Sequence, residues 1–316
     1  MAAFSTRAFA APLQYLTGAS ARAEPVVWLT WGVLLISVGV IVIIAGLLLG
    51  ALLRRRAAAE PRALMPDKGG YSWLWIGVGL STLALLFTVV WTVVVLAKIQ
   101  APATHPRVII EITGRQWWWQ VRYLSTDPRQ QFDTANEIHI PVGQPIRLKL
   151  VGGDVIHSFW VPQLAGKMDA IPGQINETWI EASNPGDWTG QCTEYCGVQH
   201  AKMLLRVVAE TPSGFAAWRA HQLAKPQVAA GHAVFESHCG NCHAVRGTAA
   251  DGSFGPDLSH LMQRHTLASA SLPNDPVTLA HWIADPQSLK PGTRMPQVAL
   301  TGGERGSLIA YLESLN

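Results

Sequence analysis

Two long stretches of the chain are apolar and carry no charged residue. They cover residues 26–53 and 71–97, and each exceeds the roughly 20 residues that an α-helix needs to cross a bilayer. A buried core helix is the alternative, but such a helix is rarely free of charge over this length. The pattern therefore predicts two transmembrane helices within residues 26–99, preceded by an N-terminal segment formed by residues 1–25.

The loop between these stretches is basic. Its charged side chains include Arg54, Arg55, Arg56, Arg62 and Lys68. Basic loops stay on the cytoplasmic side of a membrane, so both termini are predicted to lie outside. We therefore expect a multi-pass protein of the bacterial inner (cell) membrane, surrounded by lipid, with its C-terminal domains on the periplasmic side.

Beyond residue 106 the hydrophobic positions alternate with polar ones over short runs that glycine and proline separate. Clear examples are IRLKL, residues 146–150, and MLLRVVAE, residues 203–210. Period-two alternation between turn signals is typical of β-strands, so residues 106–211 are predicted to form a small all-β sandwich or barrel. A connector with a short helical stretch, 212–227, then leads to a predicted helical domain, 228–316.

The composition agrees with this division. Charged residues make up 14% of the chain, against roughly 25% in a typical soluble protein. The net charge of +3 is modest, and no long basic run indicates a nucleic-acid partner. The four cysteines fall in two close pairs, which are more typical of metal ligands or attachment points than of a disulfide framework.

The first cysteine pair lies in a segment rich in soft metal donors, QCTEYCGVQHAKM. Thiolate and thioether favour copper over hard ions, and imidazole suits copper as well. A single blue copper takes one cysteine, so two thiolates favour two coppers that share them. A disulfide or thiol redox pair and a structural zinc site are the alternatives, although methionine is a poor zinc ligand. The candidate ligands, including one histidine farther upstream, are Cys192, Cys196, His200, Met203 and His157.

The second pair forms the motif Cys239-Gly240-Asn241-Cys242-His243, which is typical of covalent haem c attachment. Two thiols bind the haem vinyl groups, and the adjacent histidine ligates the iron. A thioredoxin-like pair is the alternative, but it requires neither this histidine nor the segments that follow. Of the methionines downstream, Met295 in a Pro/Gly loop is the predicted second axial ligand, and Met262 is its rival. The histidines outside both motifs, including His139 and His260, are predicted to be surface or helix residues.

These motifs together resemble cytochrome c oxidase subunit II with a class I cytochrome c fused to its C-terminus. The resemblance implies a two-helix transmembrane hairpin, an all-β cupredoxin domain (a Greek-key sandwich) and an all-α cytochrome c domain. It implies a binuclear copper centre, CuA, in which Cys192 and Cys196 bridge both metals and His157 and His200 each ligate one. Met203 and the backbone carbonyl of Glu194 complete the set.

Further roles follow from the resemblance alone. The Glu194 side chain would face a magnesium or manganese site shared with subunit I, and Asp169 would lie at the interface with that subunit. Trp117, the first tryptophan of GRQWWWQVRY, would receive electrons from cytochrome c. In the haem domain, the carbonyl of Pro256 in GPDL would orient His243.

The implied function is that of the electron-input subunit of a haem-copper oxidase. Electrons from cytochrome c or another donor would pass through haem c and CuA to haem a of subunit I, which also holds haem a3 and CuB and reduces O2 to water with proton pumping. Subunit III is a further expected partner. The chain lacks the helices and histidines of an oxygen site, so the oxygen chemistry belongs to subunit I.

Other functions remain open at this point. The input subunit of a CuA-type nitric oxide reductase would share every motif. A quinol oxidase subunit lacks the copper ligands, and a membrane-anchored copper or thiol assembly factor would leave the haem motif unexplained.

Many family members carry a glutamate at the inner end of the second helix, whereas residues 69–80 contain no carboxylate.

The entry role of Trp117 is testable by substitution. We expect Trp117→Gln to slow reduction of the copper centre by an external donor, because the indole would be the first group to receive the electron. Stopped-flow absorbance measures the rate, and a copper assay shows that the metal remains bound. An unchanged rate would remove the role from Trp117.

Overall fold

The structure is a computed structural model that describes residues 14–54, 72–226 and 231–316. It divides into two compact units, one formed by Glu24–Ala101 and the other by Met1–Ala23 with Pro102–Asn316. Several predictions fall on residues outside the described ones. They are the start of the N-terminal segment (1–13) and most of the basic loop (55–68). The start of the carboxylate-free region (69–71), which includes the first residue of the second apolar stretch, also falls outside. So do the last residue of the connector (227) and the first residues of the predicted helical domain (228–230).

The helical unit contains α1, Glu24–Leu53, and α2, Ser72–Ile99. Both helices are long and apolar enough to cross a membrane. Of their described residues, only Val95 is buried within the structure, so the apolar surface needs a nonaqueous environment. The helices approach closely at Gly32, where an added Cβ would lie 2.2 Å from the ring of Trp91. A small residue at this position allows the two backbones to pack.

In the uninterrupted stretch 72–226, ten strands form a sandwich of two five-stranded sheets. One sheet has the order β3-β2-β1-β5-β8, and the other has the order β4-β10-β9-β6-β7. The crossovers between sheets confirm the predicted β-sandwich. The strands are β1, Val108–Arg115; β2, Trp118–Leu124; β3, Phe132–Ala135; β4, Glu137–Pro141; β5, Ile146–Gly152; β6, His157–Trp160; β7, Met168–Ala170; β8, Ile175–Ile180; β9, Gly186–Cys192; and β10, Leu204–Glu210.

The sandwich core follows from the alternation along the strands. In β5 the residues Ile146, Leu148 and Leu150 point inward and are buried, whereas the residues between them are partly exposed. Burial of a branched aliphatic side chain stabilises a fold by about 1.5–3 kcal/mol relative to exposure. The inward face of β5 therefore fixes its register against β1 and β8.

Residues 14–23, which we call the N-terminal strap, pack on the same sandwich. The hydroxyl of Ser20 donates to the carbonyl of Leu164 at 2.7 Å, and Arg22 donates to the hydroxyl of Thr178 at 2.7 Å. The guanidinium of Arg22 also lies 5.0 Å from the ring centroid of Trp179. The chain therefore leaves this unit after the strap and returns to it after α2.

The connector contains a helix, α3, Pro212–Leu223, which packs on the sandwich. Its Phe215 belongs to the buried sandwich core, and its Trp218 stacks on His139 with ring centroids 4.2 Å apart. His139 is a buried strand residue whose Nδ1 lies 2.9 Å from a carboxylate oxygen of Glu210. The prediction of His139 as a surface or helix residue was wrong, because the aromatic face of α3 covers it; His260 is buried as well.

The C-terminal region has a small core of its own. The fully buried Phe235 of α4 (His232–His238) packs against Tyr311 of α7 (Gly302–Glu313), with ring centroids 5.3 Å apart. Gly231 precedes α4 with φ +107°, and an added Cβ there would lie 2.3 Å from the carbonyl oxygen of Ser307. The elements are α4, His232–His238; β11, Thr266–Leu267; β12, Leu272–Pro273; α5, Pro276–Ala284; α6, Pro286–Leu289; and α7, Gly302–Glu313.

The contact between α4 and α7 gives a stability prediction. Phe235→Ala should lower the free energy of unfolding of the C-terminal region by about 3–5 kcal/mol, because it leaves a cavity in a small core. Val277→Ala on α5 is the control, since Val277 is 61% exposed and should change little. Denaturation followed by haem absorbance measures both variants, and equal midpoints for the two would contradict the packing assignment.

Candidate functional site

The pairing of β6 with β9 brings the upstream histidine to the cysteine segment. Phe159 pairs with Cys192, so the Nδ1 atom of His157 lies 3.8 Å from the Cys192 sulfur. The segment between β9 and β10 then turns back on itself and places the Cys196 sulfur 3.8 Å from that of Cys192. The imidazole of His157 therefore meets the two sulfurs, although His157 and Cys192 are 35 positions apart in the sequence.

The remaining candidate ligands surround the same two sulfurs. The Nδ1 atom of His200 lies 3.5 Å, and the Sδ atom of Met203 3.8 Å, from the Cys196 sulfur. The carbonyl oxygen of Glu194 lies 3.2 Å from the Cys192 sulfur, and the Glu194 side chain points to the exposed surface. The structure thus brings all the predicted copper ligands together.

The donor set fits copper. Four of its members are almost inaccessible to solvent, with exposed fractions of 0–3% for His157, Cys192, Cys196 and Met203. Buried sulfur and nitrogen donors within a few ångströms of one another match a soft metal and exclude water from it. The two cysteines are free thiols in this structure, and their separation far exceeds the roughly 2.05 Å of a disulfide bond.

The electrostatics of the thiols favour metal binding. The hydrogen bond shared with Cys196 lowers the pKa of Cys192 to about 4, and the bond from His157 acts in the same direction. Burial lowers the affinity of His157 for a proton, but its bonds to Asp154 and Cys192 outweigh this and raise its pKa. The lowered pKa of Cys192 favours its thiolate, which is the form that binds a metal.

Sequence patterns alone missed the side chains that orient the ligands. A carboxylate oxygen of Asp154 lies 2.8 Å from the Nε2 atom of His157, which leaves Nδ1 to face the sulfurs. The side-chain amide of Gln116 donates to the carbonyl of Cys196 at 2.7 Å. At Gly114 an added Cβ would lie 2.7 Å from the His157 ring. The position of Asp154 three residues before His157 is the only sequence signal for its role.

The aromatic run lies beside this cluster. Trp117 is in the turn between β1 and β2, and its indole donates to the carbonyl of Cys196 at 2.9 Å. Trp119 is fully buried with its ring edge-on to His157 at 5.9 Å between centroids. The partly buried Asp169 lies on β7, opposite Ser158 of β6. It is therefore one residue along the ladder from His157.

The haem-attachment motif begins where α4 ends. Cys239 caps that helix, Cys242 is exposed, and the Nδ1–H of His243 donates to the carbonyl of Pro256 at 2.8 Å. That bond leaves the Nε2 atom of His243 free to ligate a metal. An added Cβ at Gly255 would lie 2.5 Å from the His243 ring, so only glycine fits beneath it.

Both methionines considered as the second axial ligand border the hydrophobic core of the C-terminal region. Met295 lies in the loop between α6 and α7, where its carbonyl accepts from the Gln287 side chain at 3.0 Å. Met262 lies in a short 3-10 helix, Leu261–Gln263, and its backbone N–H donates to Leu315 at 2.9 Å. Cys239 packs against the same core, so the attachment motif and both methionines border apolar side chains, which suit an apolar haem face.

Comparison with known proteins gives two family matches. Residues 122–210 match the family model for the periplasmic domain of cytochrome c oxidase subunit II, and residues 228–316 match that for cytochrome c. The chain is 30% identical over 287 residues to cytochrome c oxidase subunit 2 of Bacillus sp. (strain PS3), a match that covers 83% of this chain and 79% of that protein.

Two further similarities are shorter. Cytochrome c oxidase subunit 2 of Alkalihalophilus pseudofirmus is 38% identical over 216 residues, which cover 66% of this chain and 61% of that protein. The crystal structure of the periplasmic domain of cytochrome oxidase subunit II from Bradyrhizobium japonicum is 34% identical. This match covers 38% of this chain and 96% of the Bradyrhizobium chain, with a TM-score of 0.35.

The orienting role of Asp154 is testable by metal binding. Asp154→Ala should weaken copper binding about 10–100-fold, because the ring of His157 loses the group that fixes its orientation. Competition with a copper chelator measures the affinity. Asp127→Ala, at an exposed turn outside the cluster, is the matched control, and equal affinities for the two variants would contradict the role.

Proposed function

The chain belongs to the cytochrome c oxidase subunit 2 family, and on that premise we propose that it is the electron-input subunit of a haem-copper oxidase. Electrons from a donor would enter through haem c, pass to CuA and leave for haem a of subunit I. The bound copper pair and haem would supply reversible one-electron transfer. This chain's own residues would hold both groups at a fixed separation.

The observation that carries the proposal is the convergence of two cysteines, two histidines and a methionine. A thiol redox protein needs only Cys192 and Cys196, and a single blue copper needs only one of them. The imidazoles of His157 and His200 and the thioether around the sulfur pair suit two coppers that share both thiolates. Cys192 and Cys196 would hold both metals, and His157 and His200 would each supply a nitrogen ligand to one of them.

The C-terminal region supports the second half of the proposal. Cys239 and Cys242 would form the thioether bonds to haem c, and His243, oriented by Pro256, would be one axial ligand. Met295 would be the other. Histidine with methionine raises the reduction potential of a haem, as suits an electron carrier.

The membrane arrangement follows from the chain's path. The N-terminal strap and residues 102–316 form one compact unit, while the two apolar helices between them form another. A chain that leaves a unit and returns to it crosses the membrane an even number of times. The strap and the sandwich then lie on one side, and because the loop between the helices is basic we place both on the periplasmic side.

The finer assignments rest on the family resemblance and on position. Glu194 has an exposed side chain beside the sulfur pair, where it would reach a magnesium or manganese ion shared with subunit I. Asp169, on the strand next to β6, would lie at the same interface. Trp117, whose indole bonds to Cys196, would be the entry residue. Subunit III and membrane lipid complete the proposed surroundings.

Metal analysis tests the proposal. The full-length protein, expressed with haem c maturation and loaded with copper, should contain two coppers per haem. Its EPR spectrum should show one electron shared over two equivalent coppers. Cys196→Ser should abolish the shared signal and keep the haem absorbance, because one bridging thiolate is lost. One localised copper per haem in the unaltered protein would refute the binuclear assignment.

The reaction of the assembled complex separates the two closest functions. Oxygen consumption by the complex purified with its partner subunits would support the oxidase. Consumption of nitric oxide without oxygen uptake would transfer the same electron-input role to a nitric oxide reductase.

A further inference from the structure

A lysine of the C-terminal region is buried against the sandwich. Lys290 follows α6 and is only 3% exposed, which is unusual for a lysine. Its ammonium donates to the carbonyls of Trp117 at 3.0 Å, Lys202 at 2.9 Å and Ala268 at 3.1 Å. The first two acceptors belong to the sandwich and the third to the C-terminal region, so one cation links both parts of the chain.

The three acceptors match the three donors of an ammonium group. Burial of a charge is costly unless every donor is satisfied, and burial lowers the pKa of Lys290 to about 7. The carbonyls offset that cost only while the two regions remain in contact. Separation of the regions would leave Trp117 and Lys202 without this donor.

A buried carboxylate of the sandwich makes a second contact of the same kind. Glu137 of β4 is 2% exposed and accepts from the Nδ1 atom of His265 at 2.9 Å and from the backbone N–H of Thr266 at 3.0 Å. Burial would favour the neutral acid, but the bonds to His265 and Thr266 outweigh it and lower the pKa of Glu137. The two buried charges thus have opposite signs and come from opposite sides of the contact.

The loop 268–270, whose Ala268 carbonyl accepts from Lys290, has an unusual backbone. Its three residues, none of them glycine, have φ values of 51°, 63° and 54°. The left-handed conformation is unfavourable for residues with a Cβ atom. The loop is held by bonds to the start of β10, where the Ser269 hydroxyl donates to the carbonyl of Leu204 at 2.8 Å and the Ser269 carbonyl accepts from the N–H of Leu204 at 3.2 Å.

The loop that carries Met295 contacts the copper segment directly. The guanidinium of Arg294 donates to the side-chain carbonyl of Gln116, whose amide donates to the carbonyl of Cys196. In addition, the side-chain amide of Gln199 donates to the carbonyl of Pro291. Arg294, the neighbour of the proposed haem ligand Met295, is thus connected through the Gln116 side chain to Cys196, a proposed copper ligand.

We propose that the C-terminal region is docked in a single fixed pose on the segment 196–204 and the Trp117 turn, and that Lys290 is the positioning residue that holds it there. The occupant of this face of the sandwich is therefore the chain's own C-terminal region. The pose stands on the contacts alone, and its importance for electron transfer rests on the proposed function.

Cleavage of the connector tests the docking. A recognition sequence for a site-specific protease is inserted between Pro226 and Gly231 of the full-length protein, which is then cut in detergent and passed over a size-exclusion column. We expect the C-terminal region to stay with the membrane part in the unaltered protein. Lys290→Met should weaken this association about tenfold or more, since hydrogen bonds to a charged group are lost.

Lys149→Met is the matched control. Lys149 is a partly exposed lysine of β5 that faces Glu177 across the sheet, so its replacement should leave the association unchanged. The proposal would be overturned if the cleaved C-terminal region of Lys290→Met stayed with the membrane part as fully as that of the control. It would also be overturned if the C-terminal region of the unaltered protein were released as soon as the connector is cut. If Lys290→Met fails to fold, Glu137→Gln and Arg294→Met are tested in its place. Release of the C-terminal region from either variant supports the docking, and its retention in both variants overturns it.

Two spectroscopic measurements separate positioning from folding and from the proposed function. In uncut Lys290→Met, the haem absorbance and copper EPR signals should match the unaltered protein, while the flash-induced electron-transfer rate between the two groups should fall about tenfold. An unchanged rate would remove the positioning role. The cleavage assay requires neither copper nor turnover, so the docking and the binuclear assignment can fail independently.

Discussion

The pairing of β6 with β9 is the interaction on which the proposed metal centre depends. It places His157 at the start of one strand beside Cys192 at the end of the other. The remaining ligands then need only one short segment, which β10 anchors immediately after Met203. A shift of one residue along this ladder would turn His157 to the opposite face of its sheet, so the register of two strands decides whether the centre exists.

The ligands and their surroundings differ in how readily sequence reveals them. Two cysteines, a histidine and a methionine within thirteen residues form a pattern visible without a structure, as does the haem motif around Cys239. Asp154 and Gln116 were not identified, because aspartate and glutamine are common in turns and their roles depend on neighbours in space. Lys290 gave no signal at all, since a lysine beside proline and glycine is typical of an exposed loop.

The connector shows a second limit of sequence patterns. Its proline and alanine residues predict a connector with a short helical stretch, and α3 spans Pro212–Leu223. Two aromatic residues on one face, Phe215 and Trp218, nevertheless make that helix part of the sandwich core. A helix of three turns gains most of its stability from such tertiary contacts, so its role depends on a surface that local periodicity does not show.

The N-terminal strap constrains the order in which the protein can assemble. Ser20 and Arg22 bond to partners 144 and 156 residues later in the chain, beyond both apolar helices. During synthesis the strap emerges long before the strands that receive it. It must therefore wait until both apolar helices and the strands that receive it have been synthesised. Closure of the strap on Leu164 and Thr178 therefore reports that the sandwich has folded as far as β8.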